Sequence, residues 1–245
     1  MLKIENTETY GWAAAIRGMR NPMNSWEQSD SGMWEVKCIG DELHRMYFEI
    51  GENDIELMRR LRKAGTDHRK FMRMITVSCD IVAPLYWWKE YDTYKVGTVA
   101  NSCSTMHKIH ANVFTLDDFS HEHLLDCDFE ELPDEDMFVA TEYFDGYIEY
   151  EETWDSMEVL KTTITALNLY RKRFIETKNK RYWWQMVQLL PTSYNQRRTI
   201  MLNYEVLANI YKSRRNHKLD EWHKFCEWVE GLPYSELIKG GADNA

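Results

Sequence analysis

The sequence predicts an α+β fold, one helix-rich domain over residues 1–245 built around a small mixed or antiparallel sheet. Three observations carry this. Through residues 154–176 the apolar side chains Met157, Leu160, Ile164, Leu167 and Tyr170 recur at steps of three and four, the period of a helix with one buried face. The run FMRMITVSCDIVAPLY over residues 71–86 is rich in β-branched residues and partly alternating, which favours a strand running to Pro84. A chain of 245 residues, 44% apolar and 13% aromatic, with no internal repeat and no Gly/Ser- or Pro-rich linker, is long enough to bury one full core.

The remaining elements follow in order. Residues 9–20 (TYGWAAAIRGMR) place Ala and Ile at helical spacing and stop at Asn21-Pro22, because the residue before a proline avoids the α region. Residues 54–64 (DIELMRRLRKA) open on Asp54, a residue type that caps helix starts. They carry Ile55, Met58 and Leu61 along one face and are followed by Gly65. After Pro84 the stretch WWKEYDTYK fits helix and extended chain equally well. Residues 181–190 read as a helix stopped by Pro191, and 203–213 and 220–231 as two more, joined by the basic turn RRNHK.

Charge is unevenly spread. The net charge is −10, from 30 basic and 40 acidic residues, yet between Ile109 and Leu160 there are 17 acids and no Lys or Arg. The acidic segment, about residues 112–157, holds Leu124, Phe129, Phe138, Tyr143, Phe144 and Tyr147, enough apolar surface to dock on the body as an insertion or lid. From Arg171 to Arg215 there are 11 Lys and Arg against Glu176 and Glu205, a field suited to phosphate on a nucleotide or cofactor. The acidic segment would repel a long nucleic acid. No apolar run approaches the roughly 20 residues that cross a bilayer, and MLKIENTETYGW lacks the regions of a signal peptide, so a cytoplasmic protein with no membrane partner is expected. Cys38, Cys79, Cys103, Cys127 and Cys226 are odd in number and form no CxxC pair, which points to reduced thiols.

Two stretches carry the functional reading: residues 68–106, containing APLYWWKEYDTYKVGTVANSCSTM, and residues 189–215, containing LLPTSYNQRRTIMLNYEVLANIYKSRR. In order, spacing and apolar frame they resemble the flavin-dependent thymidylate synthases. The resemblance covers about residues 55–106 and 183–229 and skips the acidic segment. It implies that family's fold, a homotetramer, FAD as cofactor, and reductive methylation of dUMP to dTMP with methylenetetrahydrofolate and NAD(P)H. It also implies roles. His68 stands where the family has a histidine ahead of the strand, supporting the flavin and the chemistry. The signature after the AP pair falls on residues 93–105: its first arginine is Thr93 here, its histidine Tyr94, its second arginine Lys95, its glutamate Asn101, its second serine Cys103 and its last arginine Thr105. Thr and one Lys cannot reproduce the bidentate fork of arginine. Glu90 and the run Asn101, Ser102, Cys103, Ser104 and Thr105 would line the nucleotide, with Arg214 on the pyrimidine. Lys95, Asn203 and Asn209, with Arg17 and Ser25 near the N-terminus beside Arg20, would contact the flavin. Glu205 reverses the charge of a family arginine, for which Arg197 and Arg198 are substitutes.

Read on their own residues, Gly97 and the hydroxyls of GTVANSCST suit either a tight loop with accessible amides or a polar turn. Cys103 is a lining residue first, and a nucleophile only if Lys95 or His107 acidifies it. His121, His123 and Cys127 lack an evident fourth ligand, so no metal is expected. Trp87-Trp88 and Trp183-Trp184 suit core or subunit interface, or cover for a flavin ring. Two alternatives stay open: a flavoprotein that modifies another pyrimidine nucleotide, for example by hydroxymethylation, and a non-catalytic scaffold that binds or regulates a partner.

Overall fold

The computed structural model describes residues 1–37, 44–129, 131–144 and 147–240; Cys38 lies outside them. The chain divides into two compact units, each assembled from separated segments.

The first unit comprises Leu2–Ile81, Glu90–Asn101 and Arg198–Ala245. Its sheet has the order β1-β4-β8-β5, from β1 (Lys3–Tyr10), β4 (Thr76–Pro84), β8 (Asn195–Asn203) and β5 (Val99–Ser102). The first strand and β8 were not expected. Strand β4 starts later than the β-branched run does, since residues 70–73 form a 3₁₀ turn instead. Its burial alternates from Val77 to Ala83, as a half-buried strand requires. Helix α1 (Trp12–Arg20) begins three residues after the expected start, because Gly11 turns the chain out of β1 at φ 91. A Cβ on Gly11 would fall 2.0 Å from the Met74 carbonyl oxygen, so only glycine fits. Strands β2 (Gly32–Lys37) and β3 (His44–Glu49) form a separate antiparallel pair, with Gly32 opposite Glu49.

Helix α2 (Glu52–Lys63) corrects the assignment of Asp54 as its cap. Gly51 occupies the cap position, and the carboxylate of Asp30 accepts the free N–H groups of Asn53 and Asp54. Asp54 itself is fully buried against Arg20. Helices α6 (Tyr204–Arg214) and α7 (Asp220–Glu230) match their expected bounds closely, with α8 (Glu236–Lys239) behind them. The Tyr204 N–H donates to the Ile75 carbonyl, and Trp12 packs edge-on against Tyr204 and Tyr234.

The second unit comprises Met1, Val82–Lys89 and Ser102–Arg197. The stretch after Pro84 resolves as helix α3 (Leu85–Tyr91), whose first N–H groups donate to the carbonyls of Tyr194 and Thr192. Trp87 and Trp88 are fully buried, and the Trp88 indole donates to the Gln196 carbonyl, so this pair is core. In the described part of the acidic segment, a 3₁₀ turn at Leu116–Asp118 and the antiparallel strands β6 (Phe138–Phe144) and β7 (Tyr147–Trp154) precede α4 (Ser156–Thr177). Helix α5 (Lys180–Leu189) packs back along α4. Ile109, Phe114, Phe119, Met157, Leu160, Leu167 and Met186 form this unit's core, with Leu124 against it. Phe129, expected to dock, is instead 88% exposed; the side chains of Phe138, Tyr143, Phe144 and Tyr147 lie outside the description. Asp155 caps α4, its carboxylate accepting from Glu158 N–H while Glu158 answers onto the Asp155 N–H. Among the described residues no helix is long and apolar enough to cross a membrane.

Candidate functional site

Of the expected site residues of the first unit, Lys95, Asn203, Asn209, Glu90 and Arg214 lie on or against α6. Asn203 ends β8 and is the helix cap: its side-chain oxygen accepts from Val206 N–H at 3.0 Å. It therefore lies just ahead of the helix on which the sequence places it, while Asn209 lies within that helix. Across from it the chain leaving α3 turns at Gly97, where φ is 79 and a Cβ would stand 3.1 Å from Asn203 Nδ2 and 3.0 Å from Val206 Cγ2. That close approach forms a shallow groove of about 260 Å³ lined by Thr93, Tyr94, Lys95, Val96, Val206 and Asn209. Lys95 and Asn209 thus meet in one groove, and both are exposed.

At the far end of α6, Arg214 is committed to the protein. Its Nη1 donates to Glu90 Oε2 at 2.7 Å and its Nε to the Tyr94 hydroxyl at 2.8 Å. Its guanidinium lies 4.8 Å from the Trp222 ring centroid and 5.5 Å from that of Tyr94. Glu90 Oε2 also accepts the Trp222 indole N–H at 2.9 Å and lies 3.3 Å from His217 Nε2. Since His217 Nδ1 accepts from Leu219 N–H, the neutral tautomer that satisfies both bonds carries its proton on Nε2. The structure brings Glu90 and Arg214 together as partners of each other. Arg214 Nη2 keeps no protein partner among the described residues.

His68 sits in the turn after α2, exposed, its N–H donating to the Gly65 carbonyl. Its neighbour Arg69 grips the buried Glu205 in the first turn of α6, so the reversed charge at that position has an internal counter-ion. Arg198, a substitute cation, is bound to Asp92 at 2.7 Å.

The N-terminal residues separate. Arg17 is exposed on α1. Ser25 lines a cavity of about 730 Å³ together with Arg20, Glu27, Asn53, Glu56 and Arg60. Arg20 forms its wall: Nε donates to Asp54 Oδ1 at 2.6 Å and Nη1 to the Ser25 carbonyl at 3.1 Å. Burial opposes the charge on Asp54, but the hydroxyls of Ser31 and Ser29 and the Arg20 guanidinium outweigh it and hold its carboxyl below the usual range.

Asn101 ends the first unit's segment on β5, and Ser102, Cys103, Ser104 and Thr105 belong to the second unit. Val99–Ser102 is an exposed strand rather than a tight loop. Cys103 continues its pairing, donating N–H to the Arg197 carbonyl and accepting from Gln196 Nε2 at 2.7 Å. Ser104 Oγ accepts the N–H groups of Met106 and His107, a local turn. Trp183 donates to the Met106 carbonyl, and Trp184 is exposed.

Cys127 lies not with His121 and His123 but with Asp155 and Glu158. Hydrogen bonding to Asp155 pushes its thiol up to about 11. His121 Nδ1 lies 2.9 Å from the Phe119 carbonyl.

Sequence reasoning missed His217 and Trp222 as members of the Arg214 cluster, and Asp54 as the anchor of Arg20. His217 stood in the basic turn RRNHK, but a partner at Glu90, 127 positions away in the chain, leaves no local signal.

No family model matches the chain, and no curated protein sequence matches it. Solved structures do match. The flavin-dependent thymidylate synthase ThyX from Helicobacter pylori, complexed with FAD and dUMP, aligns with a TM-score of 0.60 at 16% identity over 96% of both chains. A second structure of ThyX from Helicobacter pylori, with FAD and dUMP, gives 0.60 at 15% identity over 97% of this chain and 96% of that one. The UMP/dUMP methylase PolB from Streptomyces cacaoi, bound with 5-Br dUMP, gives 0.50 at 12% identity over 94% and 89%. At these identities the likeness is one of architecture, and the helix-rich chain has the fold of the flavin-dependent thymidylate synthases.

Proposed function

We propose that this chain is a flavin-dependent enzyme acting on dUMP, methylating it reductively to dTMP with methylenetetrahydrofolate and NAD(P)H, as a cytoplasmic homotetramer. The observation that carries the reading is the end-to-end likeness in fold to a protein complexed with FAD and dUMP. The donor set at the first unit's groove fits a phosphorylated cofactor: Lys95 has no ion-pair partner among the described residues and stands beside the Asn209 amide. Bound FAD would supply the redox and one-carbon chemistry.

The chain's own residues then bind and orient. Lys95 holds phosphate as a point charge, and Asn209 and Asn203 Nδ2 offer amide donors along α6. Arg17 on α1 and Ser25, beyond the end of that helix, would add flavin contacts. Arg214 presents its unused Nη2 to the pyrimidine while Tyr94 and Glu90 fix the plane of its guanidinium. Glu90 and Asn101 line the nucleotide, and the exposed imidazole of His68 serves the reacting ring.

One observation favours a second reading, a flavoprotein that modifies a different pyrimidine nucleotide. Arg214 is paired to Glu90, and Glu205 occupies Arg69, so the positive charge facing a ligand is smaller than the count of arginines implies. A visible absorption spectrum of the purified protein tests both. Flavin bands that shift on adding dUMP, followed by dTMP formation, support the first reading. Flavin bands indifferent to dUMP support the second, and a protein that takes up no FAD refutes both.

A further inference from the structure

We propose that His217 is a positioning residue that sets the hold of Glu90 on Arg214, so that affinity for the pyrimidine nucleotide falls when this imidazole takes up a proton. The proposal rests on the reading that Arg214 meets the nucleotide.

Backbone bonds fix the ring at both ends. The His217 N–H donates to the Arg214 carbonyl at 3.0 Å, which ties the imidazole to the residue it serves. Its Nδ1 accepts the N–H of Leu219, the residue before α7, at 3.2 Å. With Nδ1 occupied as an acceptor, the neutral ring carries its proton on Nε2, 3.3 Å from Glu90 Oε2. The same oxygen accepts Arg214 Nη1 at 2.7 Å and Trp222 Nε1 at 2.9 Å. One carboxylate oxygen thus serves one cation and two neutral donors.

A proton added at Nδ1 changes both contacts of the ring. Towards Leu219 it sets donor against donor, so that bond is lost. Towards Glu90 it makes the imidazole a second cation on an oxygen already paired with a guanidinium, and the two like charges repel. Solvent screens them only in part, since the side chains of Arg214 and His217 are 17% and 25% exposed. Arg214 then loses the partner that fixes the plane of its guanidinium.

The other charged and titratable groups nearby are Tyr94 from the chain after α3, Arg214 at the end of α6, Arg215 and Lys218 in the turn itself, and Asp220 and Glu221 in the first turn of α7. Asp220 lies 3.6 Å from His223. Among the described residues Glu90 is the one carboxylate in ion-pair range of His217.

Titrating dUMP into the FAD-loaded protein, followed by the shift of the flavin bands, tests the proposal from roughly pH 8 to pH 5.5. Wild-type affinity should fall about tenfold further across this range than that of His217→Gln, the size of one charge-assisted hydrogen bond. The nucleotide phosphate changes charge alike in every variant, so the difference belongs to the ring. The glutamine amide keeps a neutral donor for Glu90, so His217→Gln should match wild type at the alkaline end, where His217→Ala should be weaker than both. Equal pH dependence in wild type and His217→Gln, or a glutamine variant as weak as the alanine one, overturns the proposal. A wild type that takes up no FAD or binds no dUMP refutes the nucleotide reading instead, and NMR of the imidazole nitrogens then decides the role of the ring. His217 should be the Nε2-protonated tautomer when neutral, and its transition should move to lower pH in Glu90→Gln. A mixed tautomer, or a transition that Glu90→Gln leaves in place, overturns it.

Discussion

Arg69 meets Glu205 at two points, Nε to Oε2 at 2.9 Å and Nη2 to Oε1 at 3.0 Å, with both side chains largely buried. The pair ties the residue after His68 to the first turn of α6. Glu205→Arg, which installs the residue the resembling family carries, places two guanidinium groups in that space. Removing one partner of a buried pair costs about 3–5 kcal/mol, and a like charge costs no less. Urea unfolding should show this loss, and the double swap Arg69→Glu/Glu205→Arg should recover most of it. An unchanged midpoint in Glu205→Arg would refute the pairing.

Acid should act on the second unit through Asp155. Burial opposes its charge, but hydrogen bonds from Cys127, from the Cys127 backbone and from the N–H groups of Glu158 and Met157 hold it at about 2. Because the folded value lies below an unfolded value of about 3.9, the stabilisation is fully present above that pH and disappears as pH falls towards 2. Asp155→Ala should cost about 1 kcal/mol at neutral pH and reduce the steepness of acid unfolding between roughly pH 4 and 2. An identical acid profile in the variant would show that the cap carries no linkage.

Two glycine substitutions should diverge. Gly11→Ala meets the Met74 carbonyl at 2.0 Å and requires a left-handed backbone, whereas Gly32→Ala meets nothing within 4 Å. The first should lower the melting temperature by several degrees, from a cost well above the roughly 1 kcal/mol of positive φ alone, and the second should be close to neutral. Equal melting temperatures would contradict the tight exit from β1.

Lys95→Ala should weaken FAD binding about tenfold, the loss of one charge-assisted hydrogen bond of roughly 1.5 kcal/mol, while leaving the unfolding midpoint unchanged because the side chain is exposed. Arg214→Ala should lower both dUMP affinity and stability, since it strands Glu90. Fluorescence titration beside thermal melts separates the two. A Lys95 variant that binds FAD like wild type would remove this residue from the cofactor site.

The long helices were legible because their burial follows one periodic stripe. Met157, Leu160 and Leu167 are buried in α4 at the spacings read from sequence. Strand β1 was not, since KIENTETY is mostly exposed and offers no apolar alternation. In β8 the alternation exists, with Ile200 and Leu202 in and Thr199 and Met201 out, but the leading Arg197 and Arg198 masked it. At the candidate site the sequence identified Glu90, Lys95, Asn203, Asn209 and Arg214 as individuals. It could not reveal that Arg214 is answered by Glu90 or Arg20 by Asp54, because pairing across 124 and 34 positions is settled by packing rather than by local pattern.

Trp222 shares one carboxylate with Arg214 and lies under its guanidinium. Indole emission responds to both neighbours, so the cluster carries its own optical reporter: any ligand that draws Arg214 away from Glu90 changes the light Trp222 emits. Comparing wild type with Trp222→Phe isolates that signal from the other nine tryptophans of the chain, and occupancy of the arginine becomes readable without a label.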